Sequence, residues 1–311
     1  MLKAWGMEDA SPEVSLIEGE LFLTFETNQM TDAAWTEISR HSSICFAAER
    51  MADGMLKPVK RNVECVVPDD LPHVLKYKGK TNADFTAMML HCAKAASDFA
   101  QMPDGLRVLD PMCGKGTTLF CALCEGNEAI GIDTDFKALQ ETDGYFERSM
   151  KLHRIKHRRT SQSRTLSGGG SARATSYAVA ADAQAMKGGE ILSLELIHGD
   201  AARVAEMVKP GSVHLIASDL PYGVQHAPKE NGGMSSLARL MQRVVPGCVR
   251  VLKPGGALAF SFNLNTLRRK EVVRVLTEAG LRVLEDEPYT DFSHWVEQAV
   301  ERDIVIARKE G

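Results

Sequence analysis

The sequence predicts an α/β protein with a seven-stranded, mostly parallel sheet and helices on both of its faces. Two observations support this fold class. From about residue 79 onward, short apolar segments of strand length alternate with longer segments whose apolar residues recur at helical spacing. Such alternation is typical of parallel sheets, because each parallel connection needs a long crossover. In addition, the last two predicted strands have no helix between them, so one of them is expected to run antiparallel.

The individual elements follow from hydropathy and turn signals. A first helix is predicted over 84–101, where apolar residues at helical spacing precede a turn at Pro103, Asp104 and Gly105. The strands are predicted at 107–110, 128–132, 194–198, 213–219, 257–263, near 281–286 and near 301–307. The remaining helices are predicted at 116–125, 135–154, 201–208, 235–252 and 266–279.

The chain is expected to divide into two regions. Residues 1–78 are predicted to form a small α+β region that contains a strand at 21–25 and ends in a segment punctuated by prolines. Residues 79–311 are predicted to form the main domain. Within it, residues 156–190 are rich in Ser, Gly, Ala and Arg, and this composition predicts a flexible insertion.

Composition excludes several classes of protein. The 311 residues carry a net charge of −4 and are 44% apolar and 25% charged, as in ordinary globular proteins. No apolar run approaches the roughly 18 residues of a membrane span, and the N-terminus lacks the basic start and apolar core of a secretory signal. Seven irregularly spaced cysteines predict reduced thiols and a cytoplasmic location. No membrane partner is expected.

One segment departs from the acidic average of the chain. Residues 148–164 contain seven Lys or Arg residues and no acidic residue. A basic run of this density attracts phosphate groups. The segment is therefore predicted to contact a nucleic acid, although the net charge of −4 does not favour nucleic-acid binding by the surface as a whole.

A glycine-rich turn follows the first predicted strand of the main domain. Gly114 and Gly116 within Asp110–Thr118 allow a tight turn and a close approach of a ligand to the backbone. The helix N-terminus beyond the turn offers unpaired N–H groups to an anion. The turn does not fit a P-loop, because Leu109 stands where that motif requires its first glycine. A glycine turn without a ligand remains the alternative, since such a turn alone is a weak signal.

Acidic residues end the next two predicted strands. Asp133 is placed to accept hydrogen bonds from both hydroxyls of a ribose, as acidic residues do in dinucleotide sites. Asp200 is placed to accept the exocyclic amine of an adenine, but it is equally well placed to cap the helix at 201–208. Because the carboxyl ends of parallel strands meet at one edge of the sheet, these side chains are expected to line one crevice.

The most specific signal is the segment Asp219–Gly223, which follows a buried strand. An amine attached to an aromatic ring is a poor nucleophile, because its lone pair is delocalised into the ring. Acceptors for both amine hydrogens shift the nitrogen toward tetrahedral geometry, and Asp219 with the Leu220 carbonyl offers two such acceptors. Pro221 fixes the turn, and Tyr222 is suited to stack on a planar ring. The alternative is a strand-ending turn with a buried tyrosine.

Two further patterns contain residue types that can bind a metal or a ligand. Cys121 and Cys124 form a C-x-x-C pair, but they lie on a predicted helix without a second pair at metal-site spacing, so no metal is expected. The polar segment Lys76–Asn82 precedes the first helix of the main domain. It either passes over a bound ligand or is a solvated basic loop.

These motifs resemble those of a known class of enzymes. Asp110–Thr117, Asp133, Asp219–Gly223 and Leu252–Gly256, which is predicted to be a turn, are similar to segments of class I S-adenosylmethionine-dependent methyltransferases. Within that class, residues 76–308 resemble the RNA guanosine methyltransferases related to those with THUMP domains. The short segment Gly79–Asn82 with Phe85 also resembles a part of that group.

The resemblance implies a Rossmann-like fold, S-adenosylmethionine as the cofactor and a set of site residues. The methionine part of the cofactor is expected at Asp110 and the turn after it, the ribose at Asp133 and the adenine at Asp200. The implied cofactor-binding residues are Asp110, Met112, Cys113, Gly114, Gly116, Thr117, Thr118, Asp133, Thr134, Asp200, Ala201, Asn82 and Phe85. The implied catalytic residues are Asp219, Leu220, Pro221 and Tyr222, with Leu220 standing where the family more often has a proline.

The implied reaction is methylation of an exocyclic base amine of RNA, with guanosine in tRNA as the expected target. RNA is then the expected partner, bound through residues 148–164. Methylation of a protein glutamine or of a small-molecule amine is an alternative. A scaffold that binds the cofactor or RNA without catalysis is a further alternative, against which the pairing of Asp219 with Tyr222 argues.

Overall fold

The chain folds into two units. A computed structural model describes all residues except 1–6, 8–9, 29, 43, 62–64, 76–79 and 222–235. One unit comprises Met1–Glu64 with Ala100–Pro103, and the other comprises Cys65–Phe99 with Asp104–Gly311. The predicted domain boundary at residue 78 stays a prediction, since compactness alone does not define a domain.

The smaller unit consists of two hairpins and a helix. Strands β1 (Glu13–Ile17) and β2 (Glu20–Thr24) pair antiparallel, as do β3 (Ala48–Arg50) and β4 (Leu56–Pro58). Helix α1 (Asp32–Ser39) begins at Thr31, whose hydroxyl accepts the Ala34 N–H. The strand predicted at 21–25 is present as β2.

The larger unit contains the remaining elements. Its helices are α2 (Leu71–Val74), α3 (Ala83–Ala96), α4 (Thr117–Cys124), α5 (Phe136–Leu152), α6 (Ala183–Gly188), α7 (Val204–Met207), α8 (Ser236–Val251) and α9 (Arg269–Glu278). Its strands are β5 (Arg107–Asp110), β6 (Glu128–Asp133), β7 (Lys156–Thr165), β8 (Ser171–Ala180), β9 (Leu192–His198), β10 (Val213–Asp219), β11 (Leu252–Asn263), β12 (Arg282–Val283), β13 (His294–Glu297) and β14 (Val300–Arg308).

All strands of the larger unit that the structure describes belong to one ten-stranded sheet. Its order is β12-β14-β11-β10-β5-β6-β9-β8-β7, and β13 pairs with β14 outside this path. The five strands β9, β6, β5, β10 and β11 are parallel to their neighbours within this group. Strand β14 runs antiparallel to both β11 and β12. The predicted α/β class is confirmed, including the antiparallel strand near the C-terminus.

Helices cover both faces of the sheet. Alternate residues of β10 point to opposite sides, so that Leu215 packs with Phe120 and Phe146 in one hydrophobic cluster, whereas Ile216 packs with Val245 in the other. Strands buried on both faces read as continuous apolar segments, which explains why the central strands could be recognised in the sequence. Among the described helices, none combines the length and apolar character that crossing a membrane requires.

Residues 156–190, whose composition predicts a flexible insertion, contain two strands and a helix and not a long loop. Strands β7 and β8 form a hairpin of two ten-residue strands that extends the sheet beyond β9. Strand β8 buries small and apolar side chains such as Ala174, Tyr177 and Val179, while β7 is a polar edge strand. Because an edge strand needs no apolar side chains, its sequence resembles a loop. With β13, this hairpin raises the strand count from the predicted seven to ten.

Several predicted boundaries also differ from the structure. The helix predicted at 84–101 ends at Ala96, and the helix predicted at 201–208 is a short 3₁₀ turn, Ala201–Arg203, followed by α7. The segment Leu252–Gly256, predicted as a turn, is the irregular start of β11, where the pairing with β10 shifts in register.

Candidate active site

One cavity opens at the carboxyl ends of four parallel strands, β5, β6, β9 and β10. Its volume is about 520 Å³. Most of the predicted site residues line it, namely Asp110, Met112, Cys113, Gly114, Thr117, Thr118, Asp133, Thr134, Asp200, Ala201, Asp219, Leu220 and Pro221. Gly116, Asn82 and Phe85 are not among the lining residues. Tyr222 lies outside the described residues.

The turn after β5 is held by hydrogen bonds to neighbouring strands. Asp110 Oδ1 accepts the N–H of Met112 at 3.1 Å and the hydroxyl of Ser218 on β10 at 2.7 Å. The Cys113 N–H donates to the Ile132 carbonyl on β6 at 3.0 Å. The turn is thus fixed to the strands on both of its sides.

Two glycines give this turn its shape. Gly114 and Gly116 both adopt positive φ angles, +50° and +84°, which favour glycine. Gly116 is the residue from which α4 begins, and a Cβ there would lie 3.0 Å from Thr142 Cγ2. Gly116 therefore shapes the cavity by starting α4, although its own atoms do not line it.

Asp110 is a buried carboxyl group, with only 3% of its surface exposed. Burial raises its pKa to about 6, against the opposing effect of hydrogen bonds from Ser218, Thr118 and the Met112 N–H. The charge of Asp133 also raises this pKa. At neutral pH the Asp110 carboxyl is therefore mostly ionised, and it becomes neutral in mildly acidic solution.

Asp133 ends β6 and binds the backbone of two loops. Its Oδ2 accepts the Gly114 N–H at 2.7 Å, and its Oδ1 accepts the Asp135 N–H at 2.8 Å. Its carbonyl accepts the Gly199 N–H from the end of β9 at 3.0 Å. Each carboxylate oxygen can accept a second hydrogen bond. The side chain therefore holds the backbone at the rim of the cavity and can still accept hydrogen bonds from a ligand.

Asp200 caps the 3₁₀ turn that follows β9. Its Oδ1 accepts the Ala202 N–H at 2.9 Å, and its Oδ2 lies 2.9 Å from Arg243 Nη2 on α8. The capping role is thus present in the structure. Because Asp200 and Ala201 also line the cavity, the predicted contact with adenine stays a prediction.

The segment before α3 reaches the cavity through Thr81. Asn82 caps α3 by accepting the N–H groups of Asp84 at 2.7 Å and Phe85 at 3.3 Å. Thr81 lines the cavity and donates a short hydrogen bond to Asp219 Oδ2. Lys80 donates to the Pro72 carbonyl at 2.6 Å. Residues 76–79 of the polar segment lie outside the described residues.

Asp219 is the last residue of β10. Besides the bond from Thr81, its Oδ2 lies 3.7 Å from Arg302 Nη2 on β14. The next residue, Leu220, is buried, and its N–H donates to the Ser261 carbonyl at 2.8 Å. The backbone is therefore anchored to β11 at the point where the chain leaves the sheet.

Sequence reasoning missed two residues that contact the carboxylates of this site. Ser218 bonds to Asp110, and Arg302 approaches Asp219. Ser218 had a usable signal, because it is a polar residue at the end of an otherwise apolar strand and just before Asp219. Arg302 had none, since only the pairing of β14 in the sheet brings it to Asp219.

Comparison with known proteins assigns the family. The family described as RMKL-like, methyltransferase domain, matches residues 81–283. The chain belongs to this family. It is a class I methyltransferase that uses S-adenosylmethionine as its cofactor.

Solved structures of several methyltransferases are similar to this chain. A TehB-like S-adenosylmethionine-dependent methyltransferase from Corynebacterium glutamicum is 13% identical, with 75% of this chain and 90% of that chain covered and a TM-score of 0.40. An rRNA methylase from Streptococcus thermophilus is 14% identical, with 76% and 100% covered and a TM-score of 0.40. The N-methyltransferase NodS from Bradyrhizobium japonicum is 12% identical, with 73% and 96% covered and a TM-score of 0.43. No curated protein matches the sequence.

The cavity of this methyltransferase fits its cofactor. A volume of about 520 Å³ lies within the usual range for small-molecule sites. Carboxylates from three strand ends, Asp110, Asp133 and Asp200, line it and can accept hydrogen bonds from ammonium, hydroxyl and amine groups. The start of α4 beside Gly116 offers N–H donors to a carboxylate. S-adenosylmethionine carries all four of these groups.

Proposed function

We propose that this methyltransferase acts on an exocyclic amine of an RNA base, with guanosine in tRNA as the most specific form of the proposal. The observation that carries it is the position of Asp219, whose segment Asp219–Pro221 lines the same cavity as Asp110 and Asp133. An acceptor for amine hydrogens and the cofactor-binding residues thus share one space. This arrangement suits methyl transfer to nitrogen.

The acceptor amine is activated by hydrogen bonding. In this proposal Asp219 and the Leu220 carbonyl accept the two amine hydrogens, which localises the lone pair on nitrogen. Pro221 restricts the backbone beyond Leu220. Tyr222 is proposed to stack on the base, as aromatic side chains do in many RNA-binding sites. Transfer then depends mainly on the placement of the two reactants.

The cofactor is proposed to lie across the ends of β5, β6 and β9. When bound, S-adenosylmethionine supplies an electrophilic methyl group on a sulfonium. Asp110 and the turn from Met112 to Thr118 are proposed to hold its methionine part, Asp133 and Thr134 its ribose, and Asp200 and Ala201 its adenine. Asn82 and Phe85 support the site from α3, since Asn82 fixes the start of that helix next to Thr81.

Exposed basic residues at the end of α5 and on β7 support RNA as the substrate. Of the seven Lys or Arg residues in 148–164, three form ion pairs within the chain, namely Lys151 with Glu147, Arg159 with Asp143 and Arg164 with Glu195. The other four, Arg148, Arg154, Lys156 and Arg158, are exposed. We propose that these four meet the phosphates, because their charges are not neutralised by an ion pair among the described residues.

The substrate class can be tested by label transfer. The protein is incubated with S-adenosylmethionine labelled in its methyl group, and with total RNA or an RNA-free protein extract. The expected result is label in RNA. After digestion to nucleosides, the label should be found on a base methylated at its exocyclic nitrogen. The Asp219→Asn variant should transfer no label. Label on carbon, on ribose oxygen or only in protein would overturn the proposal.

The basic edge can be tested by the salt dependence of RNA binding. Lys156→Gln with Arg158→Gln removes two charges and is expected to reduce the slope of log affinity against log salt by about 2, since each phosphate contact contributes about 0.9. A matched control is Lys270→Gln with Arg274→Gln on α9, which packs near the opposite edge of the sheet. The control is expected to leave the slope unchanged. Equal slopes for both variants would remove the β7 edge from the RNA interface.

A further inference from the structure

Four side chains, those of Thr81, Arg302, Phe85 and His294, form a series of contacts that begins at Asp219. Thr81 and Arg302 both approach Asp219 Oδ2, the first through a short hydrogen bond and the second at 3.7 Å. The guanidinium carbon of Arg302 lies 4.8 Å from the centre of the Phe85 ring. The centre of the Phe85 ring also lies 5.3 Å from that of His294. Two separate parts of the chain therefore meet at one carboxylate, and Phe85 contacts one of them.

We propose that Arg302 is a positioning residue for Asp219, and that Phe85 fixes Arg302 in turn. This inference rests on the proposed role of Asp219 as the acceptor of an amine hydrogen. A carboxylate that must meet an amine at a defined angle needs its rotation restricted, because a small misplacement of a reacting group lowers the rate steeply. Thr81 and Arg302 restrict that rotation from different elements of the fold.

The surroundings of Arg302 suit this role. Only 7% of Arg302 is exposed, so its charge is poorly screened by solvent. Its planar guanidinium can face an aromatic ring and point its edge N–H groups at a carboxylate at the same time, which a lysine ammonium cannot do. Arg302 lies near the start of β14, and β14 runs antiparallel to β11, so this end of the strand reaches the carboxyl edge of the sheet.

A neighbouring ion pair joins an arginine of α9 to an aspartate of β14 and offers a comparison. Arg269 of α9 lies 2.8 Å from Asp303 and also donates to the Ile304 carbonyl at 2.9 Å. This pair joins α9 to β14 through Asp303 and Ile304 and not through Asp219. Arg269→Met is therefore a matched control for Arg302→Met, since both variants remove an ion pair that involves β14.

The test compares Arg302→Met, Arg302→Lys and Arg269→Met with the unaltered protein. The readouts are kcat and KM for methyl transfer to total RNA, calorimetric affinity for S-adenosylhomocysteine, and the unfolding midpoint. Arg302→Met is expected to lower kcat about 10- to 100-fold without changing the affinity for S-adenosylhomocysteine. Arg302→Lys is expected to recover only part of that loss. Arg269→Met is expected to lower the unfolding midpoint and leave kcat unchanged.

Two outcomes would overturn the inference. One is a normal kcat in Arg302→Met, and the other is a loss of kcat in Arg269→Met equal to that in Arg302→Met. Crystal structures of the unaltered protein and of Arg302→Met separate this inference from the proposed function. If the unaltered protein methylates no RNA, yet the Asp219 carboxylate rotates away from Thr81 only in the variant, then the proposed function fails and the positioning role stands.

Discussion

The two halves of the cavity hold their carboxylates in different ways. In the cofactor half, which comprises Asp110–Thr118, Asp133–Thr134 and Asp200–Ala201, each acidic side chain accepts a backbone N–H from a residue close by in the fold. In the proposed acceptor half, which comprises Thr81 and Asp219–Pro221, the Asp219 carboxylate is contacted by the side chains of Thr81, just before α3, and of Arg302 on β14. Each carboxylate of the proposed cofactor half thus has a donor in its own turn besides its contacts with other elements, whereas the described contacts of the Asp219 carboxylate come from distant segments.

Because of this difference, we expect the two halves of the cavity to have different roles. Backbone N–H donors in short turns are rigid and tolerate substitution of their own side chains. A side-chain donor from a distant segment can be replaced by a single substitution. The substrate that accepts the methyl group can therefore change while the cofactor stays the same. Variants of the two halves should therefore affect different steps of the reaction.

The largest effect is expected for Asp219→Asn. The amide offers a weaker acceptor to the amine hydrogen, so kcat is expected to fall by about 100- to 1,000-fold, the range for loss of one preorganised electrostatic contact. The affinity for S-adenosylhomocysteine should stay within about twofold, because Asp219 belongs to the acceptor half. Single-turnover methyl transfer to RNA measures the first quantity, and calorimetry measures the second. A variant with full kcat would rule out the assigned role of Asp219.

For Asp133→Asn a smaller effect is expected, and it should fall on the affinity for S-adenosylhomocysteine and not on kcat. The amide cannot accept from both Gly114 and Asp135 as the carboxylate does. Loss of a hydrogen bond to a charged group costs about 1.5–3 kcal/mol, so the Kd for S-adenosylhomocysteine is expected to rise about 10- to 100-fold. Thr134→Ser, which keeps the hydroxyl at the same rim position, serves as the control. An unchanged Kd in Asp133→Asn would remove Asp133 from the cofactor site.

The cofactor half should also respond to pH through Asp110. Burial raises the pKa of this carboxyl to about 6, so it is ionised above that pH and neutral below it. A neutral carboxyl no longer attracts an ammonium group. The Kd for S-adenosylhomocysteine is therefore expected to be constant above pH 7 and to rise by up to about tenfold per pH unit below pH 6. Titrations from pH 5 to pH 8 measure this, and Asp110→Asn should show weak binding without the pH dependence. A Kd that does not change with pH in the unaltered protein would contradict this role of Asp110.

The smallest effect is expected outside both halves, at the hairpin of β7 and β8. Arg164 pairs with Glu195 at 2.5 Å and is 33% exposed, so solvent screens much of the attraction. Arg164→Met is expected to lower the free energy of unfolding by about 1 kcal/mol or less, measured by urea denaturation. Both kcat and the affinity for S-adenosylhomocysteine should remain unchanged. A change in either quantity would mean that the hairpin contributes to the cavity.

The difference between contacts within one turn and contacts between distant segments explains how far the sequence could predict the structure. The turn from Asp110 to Gly116 was predictable, because its residues lie in one short segment and its turn chemistry is local. The hairpin of β7 and β8 was not, since a polar edge strand lacks the apolar pattern of a buried strand. The contact between Arg302 and Asp219 was not predictable either, because it exists only once β14 has paired beside β11.

The most direct test of this division is a crystal structure of the protein with S-adenosylhomocysteine. The expected result places the ribose beside Asp133, the methionine part at the turn after Asp110, and the sulfur facing Asp219. The ligand should leave the contacts of Asp219 with Thr81 and Arg302 intact. Ligand density outside this cavity, or a sulfur atom that faces away from Asp219, would contradict a single cavity with separate cofactor and acceptor halves.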